Sequence, residues 1–114
     1  MFKSKYRNVK FTDENGIKWH SKKEYKRYLE LKDRENKKEI SNLQRQVTYI
    51  LIPRQTDENG KFKYHPIKYV ADFVYTDNAT GKEIVEDVKG MKTPEYNIKK
   101  KLMYYTYKIK IEEV

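Results

Sequence analysis

Three residues have the types and spacing that phosphate chemistry needs: Asp72 within "YVADFVY", then Asp87 and Lys89 within "IVEDVKG". Tyr69, Val70, Ala71, Phe73 and Val74 form an almost unbroken apolar run around Asp72, the pattern of a central strand covered on both faces. Aspartate is poor in strands and costly to bury unpaired. In the next strand side chains alternate, so Val85, Asp87 and Lys89 share one face and Glu86 and Val88 take the other. If Thr76 pairs with Gly81 across the turn "TDNATG", Asp72 lies opposite Val85 and diagonal to Asp87 on the same face. Diagonal neighbours are ~7–8 Å apart, a span over which two carboxylates can share a metal ion.

Two carboxylates ~4–6 Å apart in a partly buried site repel by roughly 3–4 kcal/mol at an effective dielectric of about 20. Lys89 can offset part of that repulsion and a divalent cation more. Oxygen donors alone suit Mg²⁺ or Mn²⁺. The competing reading is salt bridging of Asp72 and Asp87 to lysines, which 26 basic residues make easy. It accounts for one such acid, but less well for an Asp in an apolar strand followed by Asp-x-Lys in its neighbour.

The elements that must hold these residues follow from periodicity and turn chemistry. "VKFTDENGIKWHS" predicts a hairpin about Asn15-Gly16. "SKKEYKRYLELKDRENKKE" predicts a helix fading near Asn36, with Ser21 and Glu24 at capping-box spacing and Tyr25, Tyr28, Leu29 and Leu31 as its apolar face. A strand from about Leu43 to Ile52 ends at Pro53, and a second Asn-Gly turn follows at Asn59-Gly60. After the Asp72 and Asp87 strands, Thr93 is placed to cap a helix that starts at Pro94, with Ile98, Leu102 and Tyr105 as its apolar stripe. "KIKIEEV" closes as a strand. The order is hairpin, helix, three strands, helix, strand: an α/β fold in which a mixed sheet with a central antiparallel meander is flanked by helices.

With 114 residues the chain makes a single domain, residues 1–114, with one modest core. Eleven tyrosines and four phenylalanines supply much of the buried area in a sequence that is 38% charged. The net charge of +9 is concentrated in "MFKSKYRNVK", "SKKEYKRY" and "NIKKKLMYYTYKIK", which favours a polyanionic partner. Without cysteine there is neither a disulfide nor a thiolate metal site. No apolar run reaches membrane-spanning length and the first ten residues lack a signal-peptide core, so the expectation is a cytoplasmic protein.

Asp72, a short hairpin, then Asp87-Val88-Lys89 resembles the PD-(D/E)XK nuclease superfamily, in the variant with Asp ahead of the lysine. With "NGIKWHSKKE", "YVADFVY" and "IVEDVKG" in this order, the chain from about Ile17 to Val114 resembles a small phage-encoded endonuclease-like family related to Holliday-junction resolvases and TnsA-type transposon-end nucleases. Ala71 stands where the superfamily has proline. The resemblance implies a restriction-endonuclease-like core, with a metal held by Asp72, Asp87 and the Val88 carbonyl. It implies that Lys89 activates the attacking water and that Glu24 completes the metal site. For Glu24 the capping box is a sufficient alternative. Glu86 points away from the site, and one of Gln44 and Gln46 can line it. His20 and His65 lie near predicted loops and are weak evidence for a metal site or a general base. Lys99, Lys100 and Lys101 on the second helix are the candidate phosphate contacts, with Tyr96 beside them.

The expected function is that of a Mg²⁺- or Mn²⁺-dependent endodeoxyribonuclease of a phage or prophage, in the cytoplasm of a bacterial host, acting on DNA that can be branched. A resolvase would work as a homodimer. The alternatives are a nuclease-fold nucleic-acid-binding module without chemistry, or a modulator of a host factor. An RNA-directed nuclease also stays open.

Overall fold

The computed structural model describes residues 10–88 and 92–114. Lys89, and with it the expected water-activating lysine, lies outside the described residues, as do most of the N-terminal lysines.

A short hairpin of β1 (Phe11–Thr12) and β2 (Lys18–Trp19) leads into α1 (Lys22–Asn36). Ser21 caps α1 from an extended backbone conformation, its hydroxyl accepting from the Glu24 N–H at 3.1 Å. A long strand, β3 (Ile40–Ile52), is followed by a second hairpin of β4 (Gln55–Thr56) and β5 (Phe62–Tyr64). Then come β6 (Ile67–Asp77), β7 (Lys82–Asp87), α2 (Pro94–Tyr107) and β8 (Glu112–Glu113). The main sheet has the order β3-β6-β7-β8; its first three strands are an antiparallel meander, and β8 joins parallel to β7. A parallel neighbour needs a crossover, which α2 supplies. Thr93 caps that helix with Pro94 behind it, and Lys108 in the left-handed region ends it. The chain is therefore mixed α/β, with helices on opposite faces of one mostly antiparallel sheet.

Each face has its own core. On the α1 face Trp19, Leu31, Ile40, Phe73 and Tyr75 pack together, with Tyr25 and Tyr28 against them. On the α2 face Leu51, Tyr69, Ala71, Val74, Val85, Tyr96, Met103 and Ile111 pack. Aromatic rings do fill much of the interior, as a chain poor in aliphatic residues requires.

Two apolar stripes expected from periodicity face the cores only in part: Tyr25, Tyr28 and Leu31 on α1 and Leu102 on α2 pack inward, and the rest do not. Leu29 on α1 is exposed, and on α2 Ile98 and Tyr105 are 58% and 77% exposed. Tyr96 and Met103, seven residues apart, are what α2 buries. Tyrosine is the reason for the error: its ring reads as apolar at either position, and packing, not periodicity, decides which tyrosines go inside.

The register between β6 and β7 also differs from expectation. Gly81 adopts φ 73° and donates to the Asp77 carbonyl at 2.7 Å, so it belongs to the turn, and pairing begins with Asp77 opposite Lys82. Thr76 then meets Glu83 and Phe73 meets Glu86. Continued by one residue, this register brings Asp72 level with Asp87 and not with Val85. The shift is by two residues, so both aspartates keep the faces that alternation gave them.

Candidate metal centre

The site forms where two neighbouring strands turn over together. In β6, Tyr69 and Ala71 pack on the α2 face but Phe73 and Tyr75 pack on the α1 face, although all four would share one face of a regular strand. In β3 the same happens: Leu43 faces α1, while Val47 and Tyr49 face α2. Arg45 pairs with Phe73 and Val47 with Ala71, so the residues at the break are Gln46 and Asp72, opposite one another. Gln46 has φ 53°, in the left-handed region that a glutamine rarely enters. Such strained positions persist only where the surroundings over-determine them, and they cluster at functional sites.

Glu24 on α1 points at this break and is only 2% exposed. Gln46 Nε2 donates to Glu24 Oε2 at 2.9 Å and to Asp72 Oδ1 at 3.3 Å, so one neutral amide bridges a buried and a half-buried carboxylate. The other oxygens are held by backbone: the His20 N–H donates to Glu24 Oε1 at 3.1 Å, and the Val88 N–H to Asp72 Oδ2 at 2.7 Å. Among the described residues no lysine or arginine forms an ion pair with either acid. Burial pushes the Asp72 carboxyl up to about 6; the Val88 N–H opposes that, and the Asp87 and Glu24 carboxylates add to it.

Ligand atoms of His20, Glu24 and Asp72 all lie within 4.8 Å of one another. Asp87 is not one of this trio. It is buried on the α2 face, where the Tyr69 hydroxyl donates to its Oδ2 at 2.5 Å. Burial first, and then the bond to Asp87, raise the Tyr69 phenol well above its ordinary range. Asp72 senses the Asp87 charge, so Asp87 lies near the break without joining the trio.

Of the other sequence candidates, Glu86 points away, as alternation requires. Arg27 donates to it from Nε at 2.8 Å and from Nη2 at 2.6 Å, and the Tyr75 hydroxyl donates to Oε2. Of the two glutamines, Gln46 lines the site and Gln44 is exposed. Val88 meets Asp72 through its N–H. His65 sits beside the Phe62 ring at 4.6 Å, away from the cluster on the second hairpin. Lys99 and Lys100 hold Glu95 and Glu113, each at 3.0 Å, and Lys101 is exposed. The Tyr96 hydroxyl donates to Glu113 at 2.8 Å.

Two contributors carry little sequence signal. His20 reads as a loop residue, and only its place just before the cap of α1 hints that it shares a turn with Glu24. Arg45 adjoins Gln46, and its guanidinium lies 3.7 Å from the centre of the Trp19 ring, with Nε buried and without a hydrogen-bond partner.

An aromatic-rich α/β domain with an acidic cluster at a break in its sheet is the class that fold and site define. Residues 3–113 match the family described as protein of unknown function (DUF1064), and the chain belongs to that family. No curated protein and no solved structure matches the chain.

Proposed function

We propose that this chain is a divalent-metal-dependent endodeoxyribonuclease with a restriction-endonuclease-like core. The observation that carries this reading is the pair of buried Glu24 and half-buried Asp72 at a strained strand break, bridged among the described residues by the Gln46 amide alone. Among the described residues each carboxylate oxygen accepts one hydrogen bond, which leaves a lone pair for a metal. A divalent cation is the natural complement of such a donor set, and Mg²⁺ or Mn²⁺ fits its oxygens. Asp72, Glu24, Asp87 and the Val88 carbonyl are the groups that would hold it. Bound there, the metal would polarise a scissile phosphate and supply a water of lowered pKa.

The chain's own residues do the rest. Gln46 and the two backbone N–H groups fix the carboxylates before any ligand arrives, which reduces reorganisation during reaction. Tyr69 holds Asp87. Lys89, two residues beyond Asp87 in sequence, is assigned to the attacking water on the Asp-x-Lys pattern. Lys101, with lysines elsewhere on this chain of net charge +9, is assigned to backbone phosphates. Branched DNA as substrate and a homodimer as the working unit belong to this proposal, as does a location in the bacterial cytoplasm. No helix among the described residues is long and apolar enough to cross a membrane.

The test is incubation with branched, duplex and single-stranded DNA in Mg²⁺, Mn²⁺ or EDTA. Cleavage should require metal and disappear in Asp72→Asn and in Asp87→Asn. Cutting that continues in EDTA, or survives both substitutions, refutes a metal nuclease. Binding without cleavage on all three DNAs would favour a nucleic-acid-binding module.

A further inference from the structure

We infer that His20 is a direct ligand of this centre, and that the imidazole makes the site select first-row transition ions, such as Mn²⁺, over Mg²⁺. The inference deepens the metal-centre reading and rests on it.

The first support is position. One ring nitrogen of His20 shares a 4.8 Å neighbourhood with a carboxylate oxygen of Glu24 and one of Asp72, and Nδ1 lies 3.8 Å from Glu24 Oε1. Around an ion with bonds of ~2.1–2.2 Å, donors lie ~3 Å apart when cis and ~4.4 Å apart when trans. The trio needs to contract only slightly to meet one ion. The three residues come from two sides, His20 and Glu24 from the start of α1 and Asp72 from the central strand, so their convergence is a product of the tertiary fold.

The second support is rigidity. His20 is held between fixed neighbours: its own N–H bonds to Glu24, and Trp19 before it is fully buried. The Trp19 indole N–H donates to Asp13 Oδ2 at 2.9 Å, and the Arg45 guanidinium covers its ring. Ser21 after it is the helix cap. The imidazole itself remains 68% exposed. A histidine on a pinned backbone, with its ring open to solvent beside one buried and one half-buried carboxylate, needs little reorganisation to coordinate.

The selectivity follows from donor chemistry. Mg²⁺ prefers an all-oxygen octahedron and gives up its waters reluctantly, whereas first-row transition ions accept imidazole nitrogen together with carboxylates. A site of two carboxylates and one imidazole therefore shifts preference away from Mg²⁺.

The experiment uses the metal-stripped full chain and Mn²⁺ itself as the probe. Titration followed by electron paramagnetic resonance, with Mg²⁺ as competitor, gives both affinities, and pulsed measurements report ¹⁴N coupling from a directly bound imidazole. Mn²⁺ should bind about tenfold or more tightly than Mg²⁺, with ¹⁴N coupling present. His20→Ala should lower Mn²⁺ affinity about tenfold, leave Mg²⁺ affinity within about twofold, and abolish the coupling. Because His20 is exposed, the variant should melt with the parent in metal-free buffer. Absent ¹⁴N coupling in the parent, an equal loss for both ions, or no loss for either overturns the assignment. None of these readouts uses cleavage. Coupled Mn²⁺ binding without DNA cutting would leave His20 standing and remove the nuclease reading, and metal-dependent cutting without coupling would do the reverse.

Discussion

Glu86 and Asp72 are both acids of the central sheet, close in space and opposite in design. Glu86 is 2% exposed and fully compensated: Arg27 donates to both of its oxygens and the Tyr75 hydroxyl adds a third bond. The bond to Glu86 is the main reason the Arg27 guanidinium is held even more firmly protonated than usual. Among the described residues Asp72 and Glu24 are held by the Gln46 amide and two backbone donors alone, and burial lifts the Asp72 carboxyl to about 6. Among the described residues the first acid has a cation built in and the second has none. One arrangement is closed and structural. The other accumulates negative charge that an external cation can complement.

The sharpest way to break this comparison is to neutralise each acid in metal-free buffer. Glu86→Gln leaves the half-buried Arg27 with Glu30 as its anionic partner and weakens the charge-assisted bonds in the interior, so it should destabilise the fold by about 2 kcal/mol, read as a lower midpoint in urea. Asp72→Asn removes a charge that the fold disfavours, so at pH 8 it should stabilise by about 1–2 kcal/mol. Equal losses in the two variants would show that both acids are ordinary structural groups.

A smaller, graded effect comes from pH. The folded protein binds a proton at Asp72 up to about pH 6, whereas the unfolded chain releases it near 3.8. Between those values the folded state holds more protons, so this acid's contribution to stability falls as pH rises and is fully unfavourable above about 6. Glu113 runs the other way: bonds from Lys92, Tyr96 and Lys100 lower its carboxyl to about 2, so its contribution is lost as pH falls from 4.5 toward 2. In EDTA the stability advantage of Asp72→Asn over the parent should therefore be present at pH 8 and gone at pH 4. An advantage that persists at pH 4 would mean that the substitution acts through packing and not charge.

How much of this was legible beforehand depends on whether the signal was local. The pentapeptide Thr-Asp-Glu-Asn-Gly occurs at residues 12–16 and again at 56–60, and both copies fold alike. In each the aspartate side chain accepts from the N–H groups two and four residues on, and its carbonyl accepts from the glycine at φ 82°. Turn chemistry therefore read true twice, yet the fates of the hairpins diverge. The first buries Trp19 and delivers His20 to the site, whereas the second leaves Phe62 and Tyr64 exposed. The caps at Ser21 and Thr93, the Asp72 strand and the turning of Glu86 to the face away from the site were equally local and equally readable. The two-residue register shift was not, because it turned on whether Gly81 belonged to the turn or the strand. The simultaneous turnover at Gln46 and Asp72 was not readable either. It exists only where β3 and β6 lie side by side, and no residue in "LQRQVTY" announces it.

The finest test concerns Glu24, for which a helix cap and a metal ligand were both open from the sequence. The geometry gives the residue both kinds of contact. Its backbone N–H donates to the Ser21 hydroxyl oxygen and its Oε1 accepts from the His20 N–H, while Oε2 accepts from Gln46 at the strand break. The capping contact is the smaller part. Ser21→Ala should cost ~1 kcal/mol of stability and leave metal affinity and cleavage nearly unchanged. Glu24→Gln keeps an acceptor for the His20 N–H and so keeps the cap, but it removes half the charge that opposes Gln46. In metal-free buffer it should melt within a few degrees of the parent, whereas metal affinity and cleavage at low Mg²⁺ should fall by ~100-fold. The paired variants thus separate the two roles within one helical turn. Parental cleavage by Glu24→Gln across a magnesium titration would return the residue to the cap and leave the metal to the other ligands, with Asp72 and Asp87 as its carboxylates.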